Sequence, residues 1–162
     1  MKVNICGGGR WANEYLKETL KISKVDIINV YTNNKKLKYD YKKIKKINFF
    51  EKVCIKSNLT KSKTIVCNNL KDHIFYAKKF LKNGSDVLIE KPVFNSQSEI
   101  KKIKKYKDKI FISKIHNFNY QIQNFINKIN LKKINQAEVI WYDKPQEIRR
   151  GELKKHDLKK PY

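Results

Sequence analysis

Residues 2–113 alternate short apolar runs with longer segments in which apolar residues recur at helical spacing. The apolar runs lie at 2–6, 25–31, 64–67, 86–89 and 110–113, and the helical segments at 11–22, 70–83 and 96–107. Apolar strands joined by helices are typical of parallel sheets, because each helix carries the chain back to the start of the next strand. The sequence therefore predicts an α/β fold with a doubly wound parallel sheet, and only the Lys-rich segment 35–63 gives no clear element.

Three consecutive glycines separate the first apolar run from the first helical segment. Within GGGRWA at 7–12, Gly7, Gly9 and Ala12 occupy the fixed positions of a G-x-G-x-x-A motif. In that motif the glycines permit a tight turn and a close approach to a diphosphate, and the following helix offers free N–H groups to the phosphates. The alternative is a Gly-rich turn with no ligand. We predict that a dinucleotide binds at Gly7, Gly8, Gly9, Arg10, Trp11 and Ala12.

The second strand ends without the acidic residue that usually binds the adenosine ribose of NAD. Thr32, Asn33 and Asn34 stand at that place, and Lys35 and Lys36 follow them. Without a carboxylate there is no repulsion of a 2′-phosphate, and the two lysines can attract one. We therefore expect the first three residues to bind the adenosine end of NADP(H) in preference to NAD(H). The alternative is that both lysines belong to the general lysine excess of the chain.

Two asparagines and a histidine follow the strand predicted at 64–67. Asn68 and Asn69 come directly after that strand, and His73 falls in the first turn of the next helix. Because ligands of open α/β sheets bind beyond the carboxyl ends of the strands, we include all three among the cofactor-binding residues. The alternative is that Asn69 or Asp72 caps the helix and that His73 is a packed first-turn residue.

A Glu-Lys-Pro triplet follows the strand predicted at 86–89. Glu90 and Lys91 therefore lie at the same edge of the predicted sheet as the glycines, and Pro92 fixes the backbone that follows. A lysine at this place can donate a hydrogen bond to a reacting hydroxyl or carbonyl group, or relay a proton. We predict that Lys91 is the catalytic residue and that Glu90 and Lys91 both contact the cofactor.

Together these segments resemble the amino-terminal half of the Gfo/Idh/MocA family of NAD(P)-dependent oxidoreductases. The resemblance covers about residues 2–142 and depends on GGGRWA at 7–12, CNNLKDH at 67–73 and VLIEKPVFNSQSE at 87–99. It implies a Rossmann NAD(P)-binding domain, a catalytic or substrate-contacting Lys91, and hydride transfer to or from a sugar-like or cyclitol hydroxyl or carbonyl group. The chain departs from the family pattern at Asn68-Asn69, where Thr-Pro is usual, and in lacking the second-strand acid.

The resemblance also implies a second α/β domain, whose mostly antiparallel sheet forms the substrate floor and usually the oligomer interface. We expect the Rossmann domain to span 1–118 and an incomplete second domain to begin over 119–162, with its first strand at 137–142. The family's catalytic Asp and His have no match before Tyr162. We therefore expect a truncated product or a part of a longer enzyme, which binds a dinucleotide but turns over poorly alone. A non-catalytic dinucleotide-binding module is the alternative.

The charge of the chain first suggests a nucleic-acid-binding protein, since the formal net charge is +23. However, 35 of the basic residues are lysines and only three are arginines, the residue that best reads bases. The 21 Ile and 17 Asn against three Ala point instead to A/T-rich coding, so we do not expect nucleic acid as a partner. Three Cys without metal-type spacing predict a reduced, cytoplasmic protein with no metal site, and no apolar run is long enough for a membrane span.

Overall fold

The structure is a computed structural model that describes residues 1–53, 62–94, 96–114, 120–129 and 136. The chain divides into two compact units, Met1–Phe118 and Asn119–Tyr162. In the second unit one helix is described, Tyr120–Lys128. The strand predicted at 137–142 lies outside the described residues.

The first unit is built on a six-stranded sheet in which every strand is parallel to its neighbours, as predicted. Its order in space, β3-β2-β1-β4-β5-β6, is that of a Rossmann fold. The order reverses between β1 and β4, and the crevice beyond their carboxyl ends is where open α/β sheets bind ligands. The strands are β1 Lys2–Cys6, β2 Ile27–Tyr31, β3 Ile47–Phe50, β4 Lys63–Val66, β5 Asp86–Ile89 and β6 Ile110–Ile112.

Five helices are described, and each begins or ends where the local sequence favours it. They are α1 Arg10–Lys21, α2 Lys35–Tyr41, α3 Leu70–Lys82, α4 Gln97–Ile103 and, in the second unit, α5 Tyr120–Lys128. Asn34 caps α2, because its side-chain oxygen accepts from the Leu37 N–H at 3.1 Å. Gly84, at φ 83°, takes the left-handed conformation that suits the residues after the end of α3.

Two apolar clusters cover the two faces of the sheet. One includes Ala12 and Leu16 of α1 with Ile5 of β1, and the other includes Phe80 of α3 with Val66 of β4. Side chains alternate between the faces of a strand, so neighbouring residues of β1 contribute to different clusters. Helices therefore cover both faces, which leaves the loops at the carboxyl edge of the sheet to form a site.

The two ends of α4 differ from what the local sequence favours. Ser96 and Glu99 have the spacing of a capping box, yet Ser96 makes no side-chain capping bond to α4. Its hydroxyl instead lies 2.8 Å from the hydroxyl of Ser98. The helix predicted through 107 also changes at Lys104 to a 3-10 helix, Lys104–Lys109, whose Tyr106 has non-helical dihedral angles.

Candidate dinucleotide-binding site

The turn between β1 and α1 is packed so tightly that its first two residues must be glycine. Gly7 has φ 149°, and a Cβ there would lie 2.8 Å from the carbonyl oxygen of Cys67. A Cβ on Gly8 would overlap the Thr32 hydroxyl and lie 2.9 Å from the Asn34 Cβ. The protein itself therefore requires glycine at both positions.

Gly9 is different, because apart from its two chain neighbours no described residue has a heavy atom within 4 Å of the place where its Cβ would be. Its backbone, at φ −84° and ψ −168°, is extended and open to any residue. Gly9 is also the N-cap of α1, and it provides no side-chain cap for the helix. The first turn of α1 carries Arg10 and no acidic residue, so the positive end of the helix dipole is uncompensated there. This arrangement is suited to binding an anion.

The residues after β2 hold the glycine turn in place. Thr32 is buried, and its hydroxyl accepts from the Asn34 backbone N–H at 3.1 Å. The Asn34 side-chain amide donates to the Gly8 carbonyl at 2.5 Å while its oxygen caps α2. Asn33 between them is exposed. Thr32 and Asn34 thus position the loop through bonds that the sequence did not indicate.

A cleft of about 320 Å³ opens beside this turn, and we call it the α1–α2 cleft. Its charged side chains are Arg10 from α1 and Lys36 and Asp40 from α2. The remaining lining residues are Gly8, Gly9, Asn13, Asn34 and Leu37. The predicted Gly8, Gly9, Arg10 and Asn34 therefore meet in one cleft, whereas Asn13 and Asp40 were not predicted.

The loop after β4 contains a polar atom with no protein partner. The side-chain oxygen of Asn68 is buried and accepts no hydrogen bond from the described residues. Asn69 is the N-cap of α3 but makes no side-chain capping bond. His73 is buried, with Nδ1 2.9 Å from the Pro92 carbonyl oxygen and Nε2 2.9 Å from that of Asn68. His73 therefore joins the loop after β4 to the loop after β5.

The loop after β5 is anchored by a buried carboxylate. Glu90 is 4% exposed and accepts a hydrogen bond from the hydroxyl of Tyr15 on α1 and another from the Lys91 backbone N–H at 3.1 Å. The Tyr15 hydroxyl also lies 3.1 Å from that of Ser113, after β6. Lys91 is exposed, and its peptide bond to Pro92 is cis. The chain thus fixes the backbone of Lys91 and leaves the side chain accessible.

Residues 1–110 match the family described as "Oxidoreductase family, NAD-binding Rossmann fold", known as Gfo/Idh/MocA. The chain belongs to this family. The prediction made from its motifs is confirmed, and the matched residues include every predicted site residue. No curated protein sequence matches the chain.

Solved structures share the fold of the Gfo/Idh/MocA chain at low sequence identity. Scyllo-inositol dehydrogenase from Lactobacillus casei, with bound NAD(H) and scyllo-inositol, is 16% identical with a TM-score of 0.64, over 78% of this chain and 40% of that one. UDP-N-acetylglucosamine 3-dehydrogenase from Acidithiobacillus ferrooxidans is 15% identical with a TM-score of 0.61, over 78% and 42%. An oxidoreductase from Bacillus cereus is 22% identical with a TM-score of 0.58, over 73% and 36%. The chain thus spans roughly two fifths of the length of these structures.

The described residues of this family member fit an NAD-type dinucleotide. Gly9 leaves space at the open end of α1, and the Asn68 oxygen lacks a donor. Among the described residues no cluster of three His, Cys, Asp or Glu side chains could hold a metal ion. No described helix has the length and apolar character needed to cross a membrane.

Two side chains that position the Glu-Lys-Pro loop were missed in the sequence. Tyr15 has the helical spacing of a core residue, and Ser113 ends an apolar run, so neither signals a polar role. Burial and, secondly, the hydrogen bond to Glu90 raise the pKa of Tyr15, so its hydroxyl remains a donor at neutral pH. A tyrosine on the inner face of a helix can bury its ring in the core while its hydroxyl reaches the ends of the strands. This property of tyrosine is the signal by which the polar role of Tyr15 could have been predicted.

A thiol lies directly beneath the glycine turn. The Cys67 sulfur would be 3.0 Å from a Cβ on Gly7, and it lies 3.5 Å from the Cys6 carbonyl oxygen. Burial and, secondly, the nearby Glu90 carboxylate raise the pKa of Cys67 to about 12. Burial likewise raises the pKa of Cys6. Both side chains are therefore neutral thiols at physiological pH and act as packing groups.

Proposed function

We propose that this chain is the dinucleotide-binding part of an oxidoreductase acting on a hydroxyl or carbonyl group of a sugar-like or cyclitol substrate. The observation that carries the proposal is the uncrowded Gly9 at the uncapped end of α1, beside a cleft that contains Arg10 and Lys36. Family membership supports the reaction class. The bound nicotinamide supplies the hydride chemistry, and the protein orients it.

In this proposal each loop at the carboxyl edge of the sheet binds a different part of the cofactor or the substrate. The N–H groups of the turn at 7–12 bind the diphosphate, residues 32–36 bind the adenosine end, and Asn68 offers its free oxygen to the cofactor. Lys91 donates a hydrogen bond to the reacting oxygen or relays its proton. Glu90 and His73 hold the loops around it, because their polar atoms are already bonded to protein groups.

We further propose that the chain prefers NADP(H) to NAD(H). Thr32 stands where an acidic residue would contact the ribose, and its hydroxyl is bonded to Asn34. Arg10 and Lys36 line the α1–α2 cleft, and Lys35 precedes it on α2. Cations without a carboxylate at the strand end favour a 2′-phosphate over a free hydroxyl.

A second candidate is a non-catalytic dinucleotide-binding module, because the family match covers an NAD-binding domain alone. The chain covers only 36–42% of the three solved structures named above. We propose that residues 1–118 are the cofactor domain and that 119–162 begin a substrate and oligomerisation domain. The reduced thiols Cys6 and Cys67 accord with a cytoplasmic location.

Two adjacent glycines provide the test. We expect Gly9→Ala to raise the Kd for NADPH at least about tenfold, because the new methyl group occupies the space left for the ligand. Its stability should remain within about 1 kcal/mol of wild type, since the backbone and the space accept a side chain. Binding is measured by the fluorescence of the reduced nicotinamide, and stability by urea unfolding.

Gly8→Ala is the matched control. Its methyl group meets Thr32 and Asn34, so it should destabilise the protein by about 1–3 kcal/mol. Equal NADPH affinity in Gly9→Ala and wild type would contradict the proposed site. Measurable NADP(H)-dependent turnover of a polyol or sugar by the full chain would exclude the non-catalytic module.

A further inference from the structure

The α1–α2 cleft contains a carboxylate that belongs to helix α2. Asp40, which belongs to none of the motifs identified in the sequence, lines the cleft together with Lys36 and Arg10. Lys36 and Asp40 are four residues apart on α2, so they share one face of that helix. The cleft therefore presents charges of both signs to whatever enters it.

Both side chains of α2 are available to a ligand. Lys36 and Asp40 are exposed, and among the described residues neither forms an ion pair within 4.0 Å. The exposed Glu18 and Glu51 and the partly buried Glu14 are each paired with a lysine. The exposed Asp108 is also outside these ion pairs, but of the two only Asp40 lines the proposed cofactor cleft.

The position at the end of β2 cannot serve the same purpose. Thr32 is 8% exposed and packs against Gly8, so a longer acidic side chain has no space there while the turn keeps its shape. A carboxylate on α2 avoids this contact and still faces the cleft. Since a carboxylate accepts hydrogen bonds from ribose hydroxyls and repels a 2′-phosphate, its effect opposes that of Lys36.

We propose that Asp40 and Lys36 are opposing determinants of cofactor specificity, with Asp40 favouring NAD(H) and Lys36 favouring NADP(H). This inference rests on the proposed function and deepens it. Because the two charges oppose each other, the preference of the wild-type chain for NADP(H) should be small. Removing either charge should change that preference. Asp40, on α2, thereby has the role that an acidic residue at the end of β2 has in NAD-binding Rossmann folds, which is to bind the adenosine ribose.

The test measures the Kd of NADPH and of NADH for the full chain by nicotinamide fluorescence at low salt, where exposed charges act most strongly. Asp40→Asn should raise the ratio of NADH Kd to NADPH Kd about three- to tenfold, and Lys36→Gln should lower it by a similar factor. Asp40→Glu keeps the charge and should keep the wild-type ratio. Neither Asp40→Asn nor Lys36→Gln should unfold the protein, because both residues are exposed.

Two control variants remove the same charges elsewhere. Asp108→Asn and Lys45→Gln change exposed residues outside the cleft lining and should leave the ratio unchanged. If Asp40→Asn changes the ratio no more than Asp108→Asn does, this inference is overturned while the proposed function stands. If the wild-type chain binds neither dinucleotide, both are overturned.

Discussion

At the residue scale, Tyr15 connects three elements through one hydroxyl group. It donates to Glu90 after β5 and lies 3.1 Å from the Ser113 hydroxyl after β6, while its ring packs with α1 against the core. Glu90 is buried, and the only other described hydrogen bond to its carboxylate comes from the Lys91 N–H. A buried carboxylate that loses a donor is costly, so the position of the Lys91 loop depends on Tyr15.

We expect Tyr15→Phe to destabilise the protein by about 1–3 kcal/mol at neutral pH, because one oxygen of Glu90 loses its donor. The folded-state pKa of Tyr15 is raised above 10.0, so its contribution is complete below that pH and is lost as the pH rises further. The difference from wild type should therefore narrow under strongly alkaline conditions. Urea unfolding at about pH 7 and about pH 11 measures it.

Tyr76→Phe is the control for this prediction. Its ring is partly buried against the apolar cluster that contains Phe80 and Val66, and within the described chain its hydroxyl has no hydrogen-bond partner. We expect it to cost less than about 0.5 kcal/mol. If Tyr15→Phe is as stable as Tyr76→Phe, the hydroxyl does not anchor the Glu90 loop.

At the element scale, a row of hydrogen-bonded polar side chains runs across neighbouring strands of the sheet. Asn48 donates to Asn29 at 3.3 Å, Asn29 to Asn4 at 3.1 Å, and Asn4 to Thr64 at 3.1 Å. Thr64 in turn lies 2.7 Å from the Ser85 hydroxyl. The three asparagines and Thr64 are direct partners in the parallel register, so one register satisfies all the bonds among them at once. A slip of one residue would bury the amides without partners.

We expect Asn4→Ala to lower the free energy of unfolding by about 2–4 kcal/mol. The change leaves the buried Asn29 amide without its acceptor and Thr64 without its donor. Asn48→Ala, at the exposed end of the same chain of bonds, should cost about 1 kcal/mol or less. Urea unfolding measures both values. Equal decreases in the free energy of unfolding of the two variants would contradict the prediction, because the burial of the Asn4 amide would then make no difference to its contribution.

The sequence predicts the elements best where apolar runs are short and bounded by turn residues. The limits of β1 and β5 agree with the prediction, and α3 differs by one residue at its end. Segment 35–63 gave no clear element because α2 and β3 are short and carry one buried apolar residue each, Leu37 and Ile47. These elements form because the sheet and the Asn34 cap stabilise them, which is information that local periodicity does not contain.

The same limit applies to the site. GGGRWA and Glu-Lys-Pro predict backbone turns, and those are local. The opening of Gly9, the crowding of Gly8 and the position of Asp40 depend on contacts between segments about 30 residues apart, such as that of Gly8 with Thr32. Sequence reasoning therefore identified the loops of the site but did not find Asp40, Tyr15 or Ser113.

At the scale of the whole molecule, the net charge of +23 is mostly unpaired. Within the described chain Lys17, Lys21, Lys38, Lys63 and the amino terminus form ion pairs with carboxylates, and such exposed pairs contribute little. The densest group is six lysines within 101–109, which the structure exposes on α4 and the 3-10 helix. The positive electrostatic potential of these lysines attracts any polyanion at low salt, whatever the function of the protein.

We therefore expect binding to duplex DNA to be weak and unselected. It should fall steeply between about 0.05 M and 0.3 M salt, as counterion release requires, while NADPH binding persists over that range because directional contacts at α1 contribute to it. Replacing Lys101, Lys102, Lys104 and Lys105 by Gln should reduce the salt slope for DNA and change the NADPH Kd less than about twofold. DNA binding that survives 0.3 M salt in a chain that binds no dinucleotide would reverse this assignment, since the lysines would then be the functional surface and the glycine turn only a structural one.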